Sequence, residues 1–217
     1  MIRIHKEGRT IVIFSAIILA GLNILLIFFL DYPAFYLVSF VSVILLVFVI
    51  RFFRVPVRRL IQDDRLIVAP ADGKIVAVEK TMVEEFLKEE RIQISIFMSI
   101  HDAHVNYYPM DGRVVYYQYN PGKYLVARHP KSSAFNERTS VGIRNNGLTI
   151  LVRQIAGFVA RRIKCYAEPG KEARQGEEMG FIKFGSRLDL FIPTNSEILV
   201  KLHDKTTGGL TPVARIK

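Results

Sequence analysis

The sequence has very little of what disulfides, cysteine-based metal sites and most nucleic-acid-binding motifs require. Its one cysteine, Cys165, has no partner for an internal disulfide and is interpreted as a small buried hydrophobic residue. Zinc-finger spacing, long Lys/Arg runs and RNA-binding aromatic motifs are all missing, so the formal net charge of +10 does not indicate nucleic-acid binding. The charge instead favours attraction to an anionic membrane surface.

Charged side chains are missing from two long stretches near the N-terminus. Thr10–Leu30 has Asn23 as its only strongly polar side chain, and Ala34–Ile50 is also uncharged. Crossing a bilayer core takes about 20 residues, so the lengths predict a two-helix transmembrane hairpin, with helices at about 10–30 and 34–53 in an anchor at 1–59. A cleaved signal peptide and a buried hairpin of a soluble protein are the alternatives.

Basic residues lie on both sides of this pair of apolar stretches. They are Arg3, Lys6 and Arg9 before the first stretch, and Arg51, Arg54, Arg58 and Arg59 after the second. Positive charge favours the cytoplasmic side of a membrane. We therefore expect the rest of the chain to lie at the cytoplasmic face of the cell membrane, where the basic residues after the second helix can contact anionic lipid.

The 217-residue chain has room for one further domain of modest size, at 60–217. Many short strands separated by Gly- and Pro-containing turns are indicated there, such as the alternating segment Arg91–Phe97 and the hairpin signal Asn145–Gly147. Helical patterns are few, with Met82–Glu89 and Ala156–Ile163 as the candidates. The pattern predicts a mainly β fold, a compact barrel or sandwich with few short helices.

Two histidines, His101 and His104, follow the end of a predicted strand. In an extended segment, residues three apart point to opposite faces, and neither a cysteine cluster nor a third histidine is near them in sequence, so the pair does not indicate a metal site. Either histidine could be a catalytic base, because histidine titrates near neutral pH, or both could be structural. Asp72, in the stretch Pro70–Gly73, is by itself typical of a turn.

The dipeptide Gly185-Ser186 lies between two predicted strands, where it could be a simple turn or could hold a serine hydroxyl against the preceding carbonyl. It is not the G-x-S-x-G elbow of serine hydrolases, because Phe184 and Leu188 stand where the glycines would be. Several basic residues could bind a phosphate or carboxylate, since arginine suits both. They are Arg161, Arg162, Arg138, Arg128 and Lys123.

The order of five motifs along the chain closely resembles the phosphatidylserine decarboxylase family in its short form. The motifs are PADGKIVAV (Pro70–Val78), FMSIHDAHVNYYPMDGRV (Phe97–Val114), NERTSVGI (Asn136–Ile143), QIAGFVARRIKC (Gln154–Cys165) and GFIKFGSRLDLFIP (Gly180–Pro193). The resemblance covers essentially the whole chain after the apolar hairpin, and its motifs are in register.

The resemblance implies an inactive precursor that cuts itself between Gly185 and Ser186. Ser186 would attack the Gly185 carbonyl, and the resulting ester would eliminate to leave residues 1–185 and 186–217. The new terminus of the smaller fragment would become a covalent pyruvoyl group, with no metal and no pyridoxal phosphate. The two fragments would remain partners, and the chain could form a homo-oligomer.

The resemblance also implies roles for the acidic and histidine candidates. Asp72 and His104 would form a triad with Ser186 for self-cleavage, and His101 would lie near the substrate. The pyruvoyl group would form a Schiff base with the amine of phosphatidylserine, which is converted to phosphatidylethanolamine in phospholipid biosynthesis. Arg161, Arg162 and Arg138 remain the candidates for binding the substrate.

One departure leaves the lipid class open. Many longer relatives have Leu-Gly-Ser-Thr at the cut, whereas this chain has Phe-Gly-Ser-Arg at 184–187, as short members do. Some short members act on archaeal ether lipids with the same serine head group, so an archaetidylserine-type decarboxylase is one alternative. A non-catalytic, membrane-tethered β-barrel binding module and a serine hydrolase that uses Asp72, His104 and Ser186 are the others, and both would leave the chain uncut.

Overall fold

The structure is a computed structural model, which describes residues 3–58, 62–122, 136–157, 162–183 and 185–216. The chain divides into two compact units, Met1–Val57 and Arg58–Lys217. The first unit contains the two apolar helices, and the second contains all the candidate catalytic residues.

The first unit is a pair of helices, α1 (Lys6–Leu26) and α2 (Tyr32–Phe52), each long and apolar enough to cross a membrane. The short strands β1 (Arg3–Ile4) and β2 (Arg54–Val55) pair antiparallel at its base. The sequence predicts the first helix to continue to residue 30, but it ends at Leu26. The second helix begins earlier than predicted, because the proline after Tyr32 is accommodated in the first helical turn.

Polar side chains join the two helices within their apolar surfaces. The amide of Asn23 donates to the Ser42 hydroxyl at 3.0 Å and accepts a hydrogen bond from the Ser39 hydroxyl at 2.8 Å. Asn23 also donates to the Leu19 carbonyl in its own helix. The one strongly polar side chain predicted in the first span is therefore paired inside the hairpin, as polar groups in an apolar medium require.

The second unit is built from short strands. Their bounds are β3 (Leu66–Val68), β4 (Gly73–Val83), β5 (Glu89–Met98), β6 (Val105–Tyr107), β7 (Gly112–Asn120), β8 (Arg138–Asn145), β9 (Leu148–Ala156), β10 (Ile163–Cys165), β11 (Glu172–Ala173), β12 (Glu178–Ile182), β13 (Ser186–Ile192), β14 (Glu197–Ile198), β15 (Lys205–Thr206) and β16 (Pro212–Arg215). The mainly β prediction is confirmed.

The largest sheet has eight strands in the order β11-β7-β8-β9-β13-β5-β4-β15, with antiparallel neighbours, and forms half of a barrel. Two three-stranded sheets, β10-β12-β6 and β14-β16-β3, complete the unit. Alternate residues of the central strands form the core, because side chains on a strand alternate between faces. Ile94 and Ile96 of β5 and Leu188 and Leu190 of β13 are fully buried there.

Two local predictions have opposite outcomes. The hairpin predicted at Asn145–Gly147 is confirmed, since β8 and β9 flank a turn with positive φ at Asn146 (45°) and Gly147 (82°).

The prediction of a helix at Met82–Glu89 is wrong, because this segment is the end of β4, a turn and the start of β5. Phe86 in that turn stacks on the ring of Tyr116, with 4.4 Å between centroids. Its apolar residues pack on the sheet rather than along one side of a helix.

The second helical candidate, Ala156–Ile163, falls partly outside the described residues. Its two ends belong to β9 and β10, and residues 158–161 are not described. In the part of the second unit that the structure describes, the chain forms strands and turns and no helix.

Candidate active site

Ser186 is the first residue of β13, between the ends of two neighbouring strands. It pairs with Met98 of β5 and with Ala156 of β9, and its side chain is fully buried. Gly185 precedes it with φ of +67°, a backbone conformation that favours glycine. The Gly-Ser bond is therefore held at the point where the chain enters the sheet.

The imidazole of His104 lies directly beside this bond and is also fully buried. Its Nε2 accepts a hydrogen bond from the backbone N–H of Gly185 at 3.4 Å, and its Nδ1 is 3.0 Å from the carbonyl oxygen of Asp102. Because a carbonyl can only accept, these contacts assign the ring proton to Nδ1 and leave Nε2 with the lone pair. A neutral imidazole in this tautomer can act as a base toward Ser186.

The carbonyl group between Gly185 and Ser186 also has a fixed partner. The backbone N–H of Gly157 donates to the Gly185 oxygen at 3.0 Å. Gly157 directly follows β9, the strand that pairs with Ser186, so the sheet register places this donor. A donor at this position withdraws electrons from the carbonyl carbon and can stabilise negative charge on its oxygen.

A chain of buried polar side chains begins at the serine hydroxyl, which donates to the sulfur of Met98 at 3.3 Å. The same sulfur is 3.7 Å from the amide of Asn106, whose oxygen accepts from Gln154 at 2.7 Å. Gln154 in turn accepts from the hydroxyl of Thr139 at 2.6 Å. Buried polar groups cost free energy when they lack a partner. This series of hydrogen bonds therefore fixes how the side chains around Ser186 are arranged.

Glycine at position 180 permits that arrangement. A Cβ atom there would lie 2.3 Å from the Lys164 carbonyl oxygen and 2.8 Å from the side-chain nitrogen of Gln154. We refer to the buried group of Met98, His104, Gln154, Gly185 and Ser186 as the closed site. Water is largely excluded from it, because Met98, His104, Gln154 and Ser186 are fully buried.

An open cleft of about 740 Å³ lies beside the same part of β5, because its lining includes Phe97 and Ser99, the two neighbours of Met98. Its lining is mixed in charge and comes from three segments of the chain. The lining residues are Asp72, Gly73, Lys74, Val76, Phe97, Ser99, His101, Asp102, His203, Lys205, Thr206 and Thr207. Two of the predicted catalytic residues, Asp72 and His101, therefore share this cleft.

Asp72 is held by Arg58 and by the loop at Gly208. Its carboxylate accepts from the Arg58 guanidinium at 2.6 Å and from the backbone N–H of Gly208 at 2.8 Å. Arg58 also donates to the Gly208 carbonyl, and its guanidinium carbon lies 5.3 Å from the ring centre of Tyr107. Burial raises the pKa of Tyr107 to about 12, against a smaller opposing effect of Arg58.

The structure thus brings together three of the predicted residues, His104, Gly185 and Ser186, and places Asp72 and His101 in the neighbouring cleft. The hydrogen bonds described for Asp72 lead to Arg58 and Gly208, while the described contact of the His104 Nδ1 is with Asp102. The triad that the resemblance implies stays a prediction.

The predicted substrate-binding arginines do not line the cleft within the described ranges of the chain. Arg138 lies near Arg153 and Glu85, and burial lowers its pKa. Arg162 is exposed, and its carbonyl accepts from the backbone N–H of Lys183. The other candidates, Arg161, Arg128 and Lys123, fall outside the residues that the structure describes.

Sequence reasoning misses several groups of the site. The Asp102 carbonyl and the Gly157 N–H belong to the main chain, which every residue has, so no residue type marks them. Arg58 is interpreted from sequence as a charge at the membrane surface, but its side chain is only 9% exposed and pairs with Asp72. Its distance of 14 positions from Asp72 carries no local signal.

The described ranges of the chain contain neither a metal-binding cluster nor a reactive thiol. Within the described ranges, no group of three or more His, Cys, Asp or Glu side chains is arranged to hold a metal ion. Cys165, at the end of β10, packs against the core, and burial raises the pKa of its thiol to about 11. A thiol with a raised pKa is a poor nucleophile at neutral pH.

Known proteins match this chain over its whole length. The model of one family, phosphatidylserine decarboxylase, matches residues 45–214. A phosphatidylserine decarboxylase proenzyme of Amoebophilus asiaticus is 49% identical over 219 residues, which cover 100% of this chain and 97% of the relative. Proenzymes of the same name from Parabacteroides distasonis and Cytophaga hutchinsonii are each 45% identical, over 99% and 97% of this chain and 99% and 97% of their own lengths.

Proposed function

The chain belongs to the phosphatidylserine decarboxylase family, and on that basis we propose that it cuts itself between Gly185 and Ser186 and then converts phosphatidylserine to phosphatidylethanolamine. The observation that carries the proposal is the position of the His104 Nε2, 3.4 Å from the backbone nitrogen of Gly185 and beside a buried serine. The relatives' name, proenzyme, fits a chain that is made as a precursor.

Self-cleavage starts with the serine hydroxyl. In the structure this hydroxyl points to Met98, so activation requires a rotation of the Ser186 side chain toward His104. Nε2 then takes the proton as the oxygen attacks the Gly185 carbonyl carbon. The Gly157 N–H stabilises the charge that develops on the carbonyl oxygen.

The bond changes follow from that attack. The amide nitrogen of Ser186 leaves the Gly185 carbon and takes a proton, which gives an ester between Gly185 and the serine oxygen. Loss of the Ser186 α-proton then eliminates the Gly185 carboxylate and leaves a dehydroalanine at the start of the second fragment. Water converts this terminus to a pyruvoyl group and releases ammonia, and the fragments are residues 1–185 and 186–217.

The residues present fit a pyruvoyl group at position 186. The position is fully buried at the start of β13, and this strand pairs with β5 and β9 along its length, so the smaller fragment keeps its place in the sheet after the cut. A pyruvoyl group supplies a ketone that binds the substrate amine and withdraws electrons from the bond to the carboxylate. The chain itself supplies burial, orientation and proton donors.

We propose different roles for the residues in and beside the open cleft. His101 is exposed there and can deliver a proton to the substrate carbon after carbon dioxide leaves. Asp72 is proposed as the carboxylate that supports the positive charge of His104 during self-cleavage. Arg58 holds Asp72 in place through their ion pair, which makes it a positioning residue. Arg138, Arg161 and Arg162 remain proposed contacts for the substrate.

The membrane arrangement is part of the proposal. The two apolar helices would anchor the chain in the cell membrane, and the basic residues on both sides of the pair would keep the second unit at the cytoplasmic face. Phosphatidylserine could then reach the site without leaving the bilayer. A homo-oligomer is compatible with this arrangement, and nucleic acid has no part in it.

The first experiment is intact mass measurement of the purified full chain beside Ser186→Ala. We expect two fragments that meet at 185/186, with a pyruvoyl terminus on the smaller one, and a single uncut chain for the variant. Ser196→Ala, a serine in a turn of the same fragment, is the matched control and should be cut normally. One intact chain in all three would remove the pyruvoyl group and the decarboxylase activity with it.

A second pair of variants tests the role of Asp72. Asp72→Asn should slow self-cleavage by about 10²-fold or more, because it removes the negative charge that supports the imidazolium. Asp102→Asn keeps the backbone carbonyl that contacts His104 and serves as the control, since its side chain accepts only from Ser99 in the described hydrogen bonds. Equal cleavage rates for the two variants, measured by the growth of the fragments over time, would exclude Asp72 from the triad.

A further inference from the structure

Two lysines of the open cleft have no role in the reaction described above. Lys74 in β4 and Lys205 in β15 are directly opposite each other in the antiparallel register of these strands, and both are exposed. Like charges directly opposite on neighbouring strands destabilise a sheet. A pair of this kind is tolerated more easily when an anion binds between the two charges.

The carboxylates of the cleft do not compensate this pair. Asp72 accepts from Arg58 and Gly208, and Asp102 accepts from the backbone N–H and the hydroxyl of Ser99. Among the described residues, no ion pair joins Lys74 or Lys205 to a carboxylate. The positive charge of the two lysines is therefore left facing the cleft.

A strained histidine lies at the same rim. His203 has φ of +77°, a conformation that residues other than glycine rarely adopt. Its backbone N–H donates to the Ile75 carbonyl at 2.9 Å, and the Asp204 carbonyl accepts from Ile75, so pairing with β4 holds the strained residue in place. Backbone strain that the surroundings enforce is concentrated at functional sites, and here it positions an imidazole in the lining of the cleft.

The cleft also contains residues that the proposed reaction uses. Asp72 and His101 line it together with Lys74, Lys205 and His203. In a phosphoserine head group the phosphodiester is only a few bonds from the reacting carbon, so a substrate that His101 protonates brings its phosphate into this cleft.

We propose that Lys74 and Lys205, with His203 beside them, bind the phosphodiester of the lipid head group. This inference rests on the proposed function for the identity of the ligand, but the anion site itself stands on the cleft geometry. Lysine binds phosphate as a point charge. The pair then has two effects, since it attracts the anionic substrate and holds its head group in the cleft that His101 also lines.

The test uses the full chain in detergent micelles containing phosphatidylserine, with the double variant Lys74→Met/Lys205→Met. Self-cleavage should be unchanged, the KM for phosphatidylserine should rise by about tenfold or more, and kcat should stay within about twofold, because the lost contacts are charge-assisted hydrogen bonds to the substrate. Lys80→Met, an exposed lysine further along β4, is the control and should leave KM unchanged. An unchanged KM in the double variant, or an equal rise in the control, would overturn the site.

A binding measurement separates this proposal from the proposed function. In the Ser186→Ala chain, which cannot form the pyruvoyl group, soluble glycerophosphoserine should bind in calorimetry and raise Tm, and both effects should be lost when the two lysines are also replaced. Binding of inorganic phosphate with equal affinity would assign the site to free phosphate and overturn head-group recognition. If the natural chain proves uncut while glycerophosphoserine still binds through the lysines, the catalytic proposal fails and the anion site survives.

Discussion

The closed site and the open cleft are adjacent along one strand and differ in almost every physical property. Around Ser186 the side chains are neutral, buried and joined through Met98 in a hydrogen-bonded chain. The cleft, in contrast, is lined by aspartates, lysines and histidines. At the end of β5 the two regions alternate along the strand, because Met98 belongs to the closed site while its neighbours Phe97 and Ser99 line the cleft.

The difference separates two chemical tasks. Self-cleavage happens once and needs a serine, a base and a polarised carbonyl that are protected from water, which would otherwise compete as nucleophile. Turnover happens repeatedly and needs access for a charged head group. Ser186 takes part in both tasks, but the two histidines are divided between them, because His104 is buried in the closed site and His101 lines the cleft.

The strongest test of this separation replaces each of the two histidines with alanine in turn. His104→Ala should slow self-cleavage by about 10²–10⁴-fold, because it removes the base in the closed site. His101→Ala should be cut at nearly the natural rate but lose turnover, since its side chain belongs to the cleft. Fragment formation and carbon dioxide release, measured on the same preparations, check both parts. Loss of cleavage in both variants would show that the two regions act as one.

The second test compares two ion pairs of different burial. Arg187 directly follows Ser186 and pairs with Asp189 at 2.6 Å, with side chains 7% and 0% exposed. Arg187→Met would remove the described ion pair of a buried carboxylate and should cost about 3–5 kcal/mol of unfolding free energy. Arg215→Met breaks the half-exposed pair with Glu197 and should cost about 1 kcal/mol or less.

Both variants are measured by urea unfolding in the Ser186→Ala background, so that one uncut chain is compared throughout. Replacing the partner as well, as in Arg187→Met/Asp189→Leu, should recover part of the lost stability, because no charge is then left buried. Equal losses for Arg187→Met and Arg215→Met would contradict the contrast between buried and open charge.

The sequence predicts the fold well where structure depends on local pattern. The Asn146–Gly147 turn follows from residue types that tolerate positive φ, and the two apolar helices follow from composition and length. The error at Met82–Glu89 has a tertiary cause. Its apolar residues pack on side chains of β9 and β13, which are distant in sequence, and no local period distinguishes that packing from the face of a helix.

In the candidate site, too, some groups are predicted from the sequence and others are visible only in the fold. Gly185, Ser186 and His104 are predicted through the order of whole motifs, although each motif alone is ambiguous. The donor at Gly157 and the acceptor at Asp102 are main-chain groups whose positions depend on the folded sheet. The opposition of Lys74 and Lys205 depends on the register of β4 and β15, so it becomes visible only in the fold.

The third prediction concerns Tyr107, whose ring lies beneath Arg58 while its hydroxyl is buried without a described hydrogen-bond partner. Its pKa is raised from 10.0 to about 12, so the fold favours the neutral phenol. The stability that this provides is complete below pH 10 and is lost as pH rises from 10 through 12. The loss should be at most about 3 kcal/mol.

Tyr107→Phe removes the titrating hydroxyl and should reduce the loss of unfolding free energy between pH 10 and 12, measured by urea unfolding in the Ser186→Ala chain. Some loss should remain, because burial also raises the pKa of Tyr108 to about 12. Tyr119→Phe, an exposed tyrosine, is the control. An identical alkaline loss in the parent chain and in Tyr107→Phe would show that Tyr107 does not contribute.

The smallest effect is expected at Cys165, a partly buried residue at the end of β10 that takes no part in the proposed chemistry. Burial raises the pKa of its thiol from 9.0 to about 11, and the thiolate is the species that alkylating reagents attack, so labelling at pH 8 should be about 100-fold slower than in the unfolded chain. Thr207→Cys with Cys165→Ala places the one thiol in the open cleft, where it should label at nearly the unfolded rate. Because each chain then contains a single thiol, mass measurement over time compares the two positions directly, and fast labelling of Cys165 in the folded chain would contradict the raised pKa of its thiol.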